Sequence, residues 1–142
     1  MQVHKWQKKL IHEAKKARNL AYCPYSRFAV GSSVLTRSGK IFSGCNIENS
    51  SFGLVICAER TAIFNAVCKG EREIQAICVV GRTALPCGAC RQVIAEFGLD
   101  IDVILATLRG PQRKENIATY KIVELLPHPF DPITAGLLKR LP

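Results

Sequence analysis

Residues 57–68 read Cys-Ala-Glu-Arg-Thr-Ala-Ile-Phe-Asn-Ala-Val-Cys, and residues 86–97 read Pro-Cys-Gly-Ala-Cys-Arg-Gln-Val-Ile-Ala-Glu-Phe. In the first stretch Ala58, Ala62, Ile63, Ala66 and Val67 recur at helical spacing, and Gly70 supplies a stop. In the second, Val93, Ile94 and Phe97 form the apolar stripe and Gly98 ends it. Each pattern begins at a cysteine, so both helix starts carry thiols. Cys87 and Cys90 are three apart and share one face of a turn, which lets them converge with Cys57 between two helix N-termini.

Three thiols and one nearby carboxylate are the parts of a zinc site that does water chemistry. A structural zinc normally closes its tetrahedron with four protein ligands, whereas a catalytic zinc keeps the fourth position for water or substrate. Cys57, Cys87 and Cys90 are the candidate ligands. Glu59, two positions from the first thiol, is placed to accept and return a proton as general acid–base. Zinc lowers the pKa of its water from about 15.7 toward about 7. Three thiolates oppose that effect by leaving the centre at a net charge of about −1, so positive potential is needed nearby. Arg60 and the two helix N-termini, whose free amides carry roughly half a positive charge, are the candidate sources.

Working outward, Val3, Trp6, Leu10, Ala14 and Ala17 predict a first amphipathic helix with a lysine-rich outer face. Residues 27–36 and 40–46 predict two strands joined by a hairpin at Arg37–Lys40. A strand near 74–80, one near 102–107 and a last one near 117–123 alternate with the helices. That alternation predicts an α/β class, a three-layer α/β/α domain spanning residues 1–142 with a mixed five-stranded sheet. Phe28 falls in the alternating run Phe-Ala-Val-Gly-Ser-Ser-Val-Leu, where a half-buried strand position is the plain reading. Cys23, Cys45, Cys68 and Cys78 read as small buried hydrophobes. His4, His12 and His128 read as exposed. Seven cysteines, an odd number, without a secretory segment argue against a disulfide framework.

At 48% hydrophobic residues the chain excludes a disordered tail, and no apolar stretch is long enough to span a bilayer. The cytoplasm is the expected location. The formal charge of +9 pulls toward phosphate backbones, so a nucleic-acid substrate is the main competing reading. Much of that charge sits on the first helix, at Lys5, Lys8, Lys9, Lys15, Lys16 and Arg18, where a solvated face accounts for it.

Cys-Pro-Tyr-Ser-Arg-Phe-Ala-Val-Gly (23–31), Gly-Cys-Asn-Ile-Glu-Asn-Ser-Ser-Phe-Gly (44–53), Cys-Ala-Glu-Arg-Thr-Ala (57–62), Pro-Cys-Gly-Ala-Cys-Arg-Gln-Val (86–93) and Leu-Leu-Pro-x-x-Phe (125–130) occur in that order. Together they resemble a cytidine deaminase of the small, homotetrameric, zinc-dependent class, the group in which a non-ligand carboxylate accompanies a Pro-Cys-x-x-Cys pair. The resemblance implies a cytidine-deaminase-like fold and hydrolysis of cytidine and deoxycytidine to uridine and deoxyuridine plus ammonia in pyrimidine salvage. It also implies one zinc per subunit on Cys57, Cys87 and Cys90, and Glu59 as proton shuttle. Asn46 and Glu48 would bond the ribose hydroxyls, Phe28 would pack on the pyrimidine, and the backbone around Ala58 and Pro86 would read the base. Arg60 would offset thiolate charge. Phe130 would reach a base bound in a neighbouring subunit of a homotetramer. The resemblance favours a small nucleoside over nucleic acid as partner, because Cys57 stands where many polynucleotide deaminases carry histidine. A structural zinc module and a blasticidin-type aminonucleoside deaminase are the other readings; the first predicts no need for Glu59, and the intact Asn46-Ile47-Glu48 disfavours the second. Two departures from the family pattern stand out, a short Gly-Arg-Thr-Ala-Leu connection at 81–85 and Phe52 where tyrosine is frequent.

Overall fold

The computed structural model describes residues 2–139. The chain runs α1 (Lys5–Arg18), β1 (Gly31–Thr36), β2 (Ile41–Cys45), a 3-10 turn (Phe52–Leu54), α2 (Ala58–Cys68), β3 (Ile74–Gly81), α3 (Gly88–Glu96), β4 (Asp102–Arg109), β5 (Lys114–Lys121) and α4 (Ile122–Leu125). The strands form one five-stranded sheet in the order β2-β1-β3-β4-β5. β3 and β4 are parallel, with Ala76 opposite Asp102, and the other pairings are antiparallel. A parallel pair cannot be joined by a tight turn, and α3 is the crossover that joins this one.

β3 and β4 are almost wholly buried, which is why their sequences are nearly continuous apolar runs. Their side chains feed two cores on opposite faces. Ile77, Val79, Val103 and Leu105 meet Ala62, Ile63, Ile94 and Ile122 from α2, α3 and α4. Ala76, Cys78, Val80, Ile104 and Ala106 meet Leu10, Ile11 and Ala14 from α1. The layers are therefore helix, sheet, helix, as the alternation predicts. Ser32 and Ser33 are buried on opposite faces of β1, Ser33 beneath α1, and their hydroxyls donate to the carbonyls of Cys78 at 2.7 Å and Leu10 at 2.6 Å. Satisfied in this way, they do not carry the penalty of an unpaired buried polar group.

Three expectations need correction. The first strand starts at Gly31, so Phe28 lies in the approach to it, outside the ladder. The last strand spans Lys114–Lys121 and ends where 117–123 would have continued. Glu124 stops it by accepting the Lys121 N–H at 2.6 Å, and Ile122 turns inward as the chain bends into α4. Of the four cysteines read as buried, Cys78 is, Cys23 and Cys45 are half-buried, and Cys68 is exposed at the end of α2. The three histidines are exposed as expected.

Candidate active site and metal centre

α2 and α3 begin at cysteine N-caps, Cys57 and Cys87, both in extended backbone. A serine or aspartate there would normally bond back to the first turn. Neither thiol makes that bond, so both are free to face outward from their helix ends. Cys90 lies one turn into α3 and is buried. The three sulfurs lie within 4.8 Å of one another. Cys57 Sγ and Cys87 Sγ are 3.8 Å apart. Zinc–sulfur bonds of about 2.3 Å at tetrahedral angles put neighbouring sulfurs about 3.8 Å apart, so the cluster fits that ion. The donor set matches zinc in softness as well as spacing.

The electrostatics favour thiolate at Cys57. The Cys57 thiol is held down to about 5, first by the hydrogen bond it accepts from Cys90 and then, against the cost of burial, by Arg60 and Cys87. Cys90 is pushed the other way, chiefly because it donates to Cys57. Arg60 Nη2 donates to Cys57 Sγ at 3.4 Å, while its Nε is buried without a partner. The same contact raises the Arg60 pKa, so that arginine keeps its charge beside the sulfurs.

Glu59 sits in the first turn of α2 at 4% exposure. Burial is the main cause that pushes its carboxyl up to about 7, and the Cys57 charge adds to it. It is not one of the three grouped metal donors. A carboxyl poised near neutrality is suited to both taking and giving a proton. Ala58, the residue before it, is fully buried and opens the helix. Pro86 precedes the second thiol, and its carbonyl accepts from Arg91 Nε at 2.9 Å.

Asn46 and Glu48 are buried, and both brace the loop that carries Phe28. Asn46 Nδ2 donates to the Phe28 carbonyl at 2.8 Å, and its Oδ1 accepts from the Val30 N–H at 2.9 Å. Glu48 Oε1 accepts from the Tyr25 and Ser26 N–H groups at 2.9 and 3.1 Å, and Oε2 accepts from the Ser26 hydroxyl. The Ser26 bond leads in holding the Glu48 carboxyl below its ordinary value. Each side chain retains a free lone pair or N–H, so bracing the loop does not use up its hydrogen-bonding capacity. Phe28 is half-buried, with the Arg82 guanidinium 5.2 Å from its ring centre. Phe130 is 65% exposed, and its carbonyl accepts from Gln92 Nε2 of α3 at 3.0 Å.

Sequence reasoning missed Arg91, which joins α3 to two separate segments. Its Nε reaches the Pro86 carbonyl and its Nη1 reaches the Leu125 carbonyl at 2.6 Å. The available signal was its place directly after Cys90. Arg82 and Ser26 were missed as well, since each acts on a residue that only the fold brings near or that a tight turn presents.

The model of the cytidine and deoxycytidylate deaminase zinc-binding region matches residues 4–107. A cytidine deaminase of Sporosarcina psychrophila is 49% identical over 126 residues, covering 86% of this chain and 89% of that one. A probable cytidine deaminase of Dictyostelium discoideum is 49% identical over 100 residues, 68% of this chain and 67% of that one. Among solved structures, the cytidine deaminase of Burkholderia pseudomallei superposes with a TM-score of 0.81 at 44% identity, covering 91% of this chain and all (100%) of the other. The Mycobacterium tuberculosis cytidine deaminase superposes at 0.74 with 34% identity, over 90% and 98% of the two chains. With the family model spanning most of the chain and the thiol cluster assembled at two helix starts, this chain belongs to the zinc-binding cytidine and deoxycytidylate deaminase family.

Proposed function

We propose that the protein hydrolyses cytidine and deoxycytidine to uridine and deoxyuridine with release of ammonia. The observation that carries the assignment of roles is the placement of Glu59. It is buried in the first turn of α2, two residues from one thiol, outside the three-sulfur donor set. A structural zinc has no use for such a carboxylate, whereas a hydrolytic one needs it.

Cys57, Cys87 and Cys90 hold the metal. Zinc, when bound there, supplies the Lewis acidity that makes water a nucleophile near neutral pH. Glu59 relays the two protons of the attacking water through a carboxylate oxygen, one to ring N3 and one to the departing amino nitrogen, so cytidine and water become uridine and ammonia with no net proton change. Arg60 offsets thiolate charge through its contact with Cys57. The α2 and α3 N-termini add positive potential at the same point. Main-chain groups at Ala58 and Pro86 read the base. Phe28 packs on the pyrimidine, and Asn46 and Glu48 bond the ribose. A free base would leave those two buried groups without the sugar hydroxyls, at appreciable cost.

A homotetramer fits this reading. Phe52 at 71% exposure, Leu54 at 65% and Phe130 at 65% leave large apolar groups in water on a single chain. Scattered apolar side chains are ordinary, but three this exposed on or next to the segments that carry the family motifs support a subunit contact. Phe130 would then close the base pocket of a neighbour. Sedimentation of a fully active monomer would remove that part of the proposal.

The test of function is the ultraviolet change on mixing zinc-loaded protein with cytidine, beside Glu59→Ala. Conversion by the wild type alone is the expected result. Conversion by both would remove Glu59 from its role, and conversion by neither, with zinc in place, would overturn the assignment.

A further inference from the structure

Arg18, Arg82 and Arg113 come from three distant parts of the chain. They are the last residue of α1, the first residue after β3 and a residue in the turn between β4 and β5. β3 and β4 run parallel, so Arg82 and the β4–β5 turn lie at the same carboxyl end of the sheet. Open α/β sheets bind ligands at that end. The segment that leads to Cys87 leaves the sheet there too.

α1 crosses the sheet toward the same place. Lys15 pairs with Glu115 on β5, and one turn later Arg18 Nε donates to the Ala29 carbonyl at 2.9 Å. Arg113 lies in the turn two residues before Glu115, and the Arg18 backbone lies against Gly31, which pairs with Val80 just before Arg82. Arg82 covers Phe28, the residue before Ala29. Among the described residues none of the three guanidiniums forms an ion pair, and Glu115, two residues after Arg113, is engaged by Lys15. After partial burial, the charges of Arg113 and Arg82 are the next causes that depress the Arg18 pKa, and a Cys23 contribution opposes them weakly. Like charges gathered without a counter-charge raise the free energy of the fold, and an anion relieves it. A cation in the last turn of a helix is ordinary dipole compensation and accounts for Arg18. It accounts for neither Arg82 nor Arg113.

We propose that Arg18, Arg82 and Arg113 form a phosphate-binding site beside Phe28. Guanidinium forks match phosphate oxygens two at a time, and three forks from separate elements enclose an anion where lysines would only attract it. The ligand class is a phosphate ester, carried either by a nucleoside monophosphate or by a polynucleotide strand. Binding stands on the cluster itself, and its consequence for substrate choice rests on the deaminase reading.

The test is calorimetric titration of the zinc-loaded, full-length protein with inorganic phosphate at low and high salt. Saturable binding that weakens with salt is expected, about tenfold weaker in Arg113→Gln and about a hundredfold weaker in Arg82→Gln/Arg113→Gln. Both side chains are exposed, so neither change threatens folding. Arg113→Gln should leave cytidine turnover unchanged. Cytidine 5′-monophosphate and a short cytidine-containing RNA then distinguish the sources. The one that displaces phosphate more strongly, and loses most in Arg113→Gln, identifies the carrier. Equal phosphate affinity in wild type and both variants, or no saturable binding at low salt, overturns the site. A protein that deaminates cytidine but ignores phosphate sinks this inference alone, and one that binds phosphate through these arginines without deaminating cytidine sinks the proposed function alone.

Discussion

Helices α2 and α3 start on one plan and diverge within a turn. Both open on an extended cysteine, Cys57 at φ −72° and ψ 155° and Cys87 at φ −67° and ψ 169°. In α2 the next positions are Ala58, Glu59 and Arg60; in α3 they are Gly88, Ala89 and Cys90. The second position is therefore a buried acid in one helix and an exposed alanine in the other. The third is a cation that touches a thiol in one and a thiol itself in the other. Two identical backbone frames thus divide the labour. On the proposed reading α3 contributes two of the three metal donors, and α2 contributes one donor together with the groups that would move a proton and balance charge.

The comparison breaks if the acid works equally well from either helix. Glu59→Gln should lower turnover by about 10²–10⁴-fold, the range for loss of a positioned proton carrier, with zinc content unchanged. Glu59→Ala combined with Ala89→Glu should recover nothing, because Ala89 faces water and a carboxylate there lacks the burial that pushes Glu59 up to about 7. Steady-state ultraviolet assays with metal analysis decide it, and recovery in the double variant would show that position on α2 is unimportant.

Next in size is the division of metal binding. Cys90 is fully buried and Cys87 exposed. Replacing either with serine removes a ligand and should weaken zinc by well over the roughly 10–100-fold typical of lost supporting groups. Cys90→Ser should lose more, since it also leaves an unpaired hydroxyl in the interior. Chelator competition measures both; equal losses would mean that burial adds nothing to the Cys90 position.

The site was legible in the sequence to the extent that its parts are local. Cys57 with Glu59, and Cys87 with Cys90, are short-range spacings on helices whose stripes and glycine stops are strong. The near-continuous apolar runs of β3 and β4 marked the central strands for the same reason. β5 was misplaced because Lys114, Glu115 and Asn116 have little preference for strand, and they are in one only because β4 offers a ladder from Asp102 to Arg109. Phe28 was read as a strand position because alternation continues through it, whereas hydrogen bonds between its loop and the side chains of Asn46 and Glu48 hold that loop outside the ladder. The contact of Arg82 with Phe28 spans 54 residues of sequence and had no local signal.

The seating of the two helices differs as well. Gly44 on β2 lies so close to α2 that a methyl group there would sit 2.4 Å from the Ala62 nitrogen and 2.8 Å from Thr61. Backbone stands against backbone, with no flexible side chain to yield. Gly44→Ala should therefore cost about 1–3 kcal/mol of stability, as overpacking does. It should also lower turnover, because the displaced helix carries Cys57 and Glu59. Denaturant unfolding and the cytidine assay on one preparation test this, and a fully stable variant would mean that α2 is free to slide.

The smallest effect is expected at the first position of α3. A methyl group on Gly88 meets nothing within 4 Å, and the backbone there is helical with no positive φ. Glycine in that place spends conformational entropy on folding without filling space. Gly88→Ala should therefore raise stability by about 0.4–1 kcal/mol, mostly through the unfolded chain. Zinc content should not change, since Cys87 and Cys90 keep their frame. A midpoint shift in denaturant at constant slope is the measurement. A gain at Gly88 beside a loss at Gly44 would place the tight tolerance on the helix that carries the acid, whereas a loss at both would mean that α3 is seated as closely as α2 and that the asymmetry lies in side chains alone.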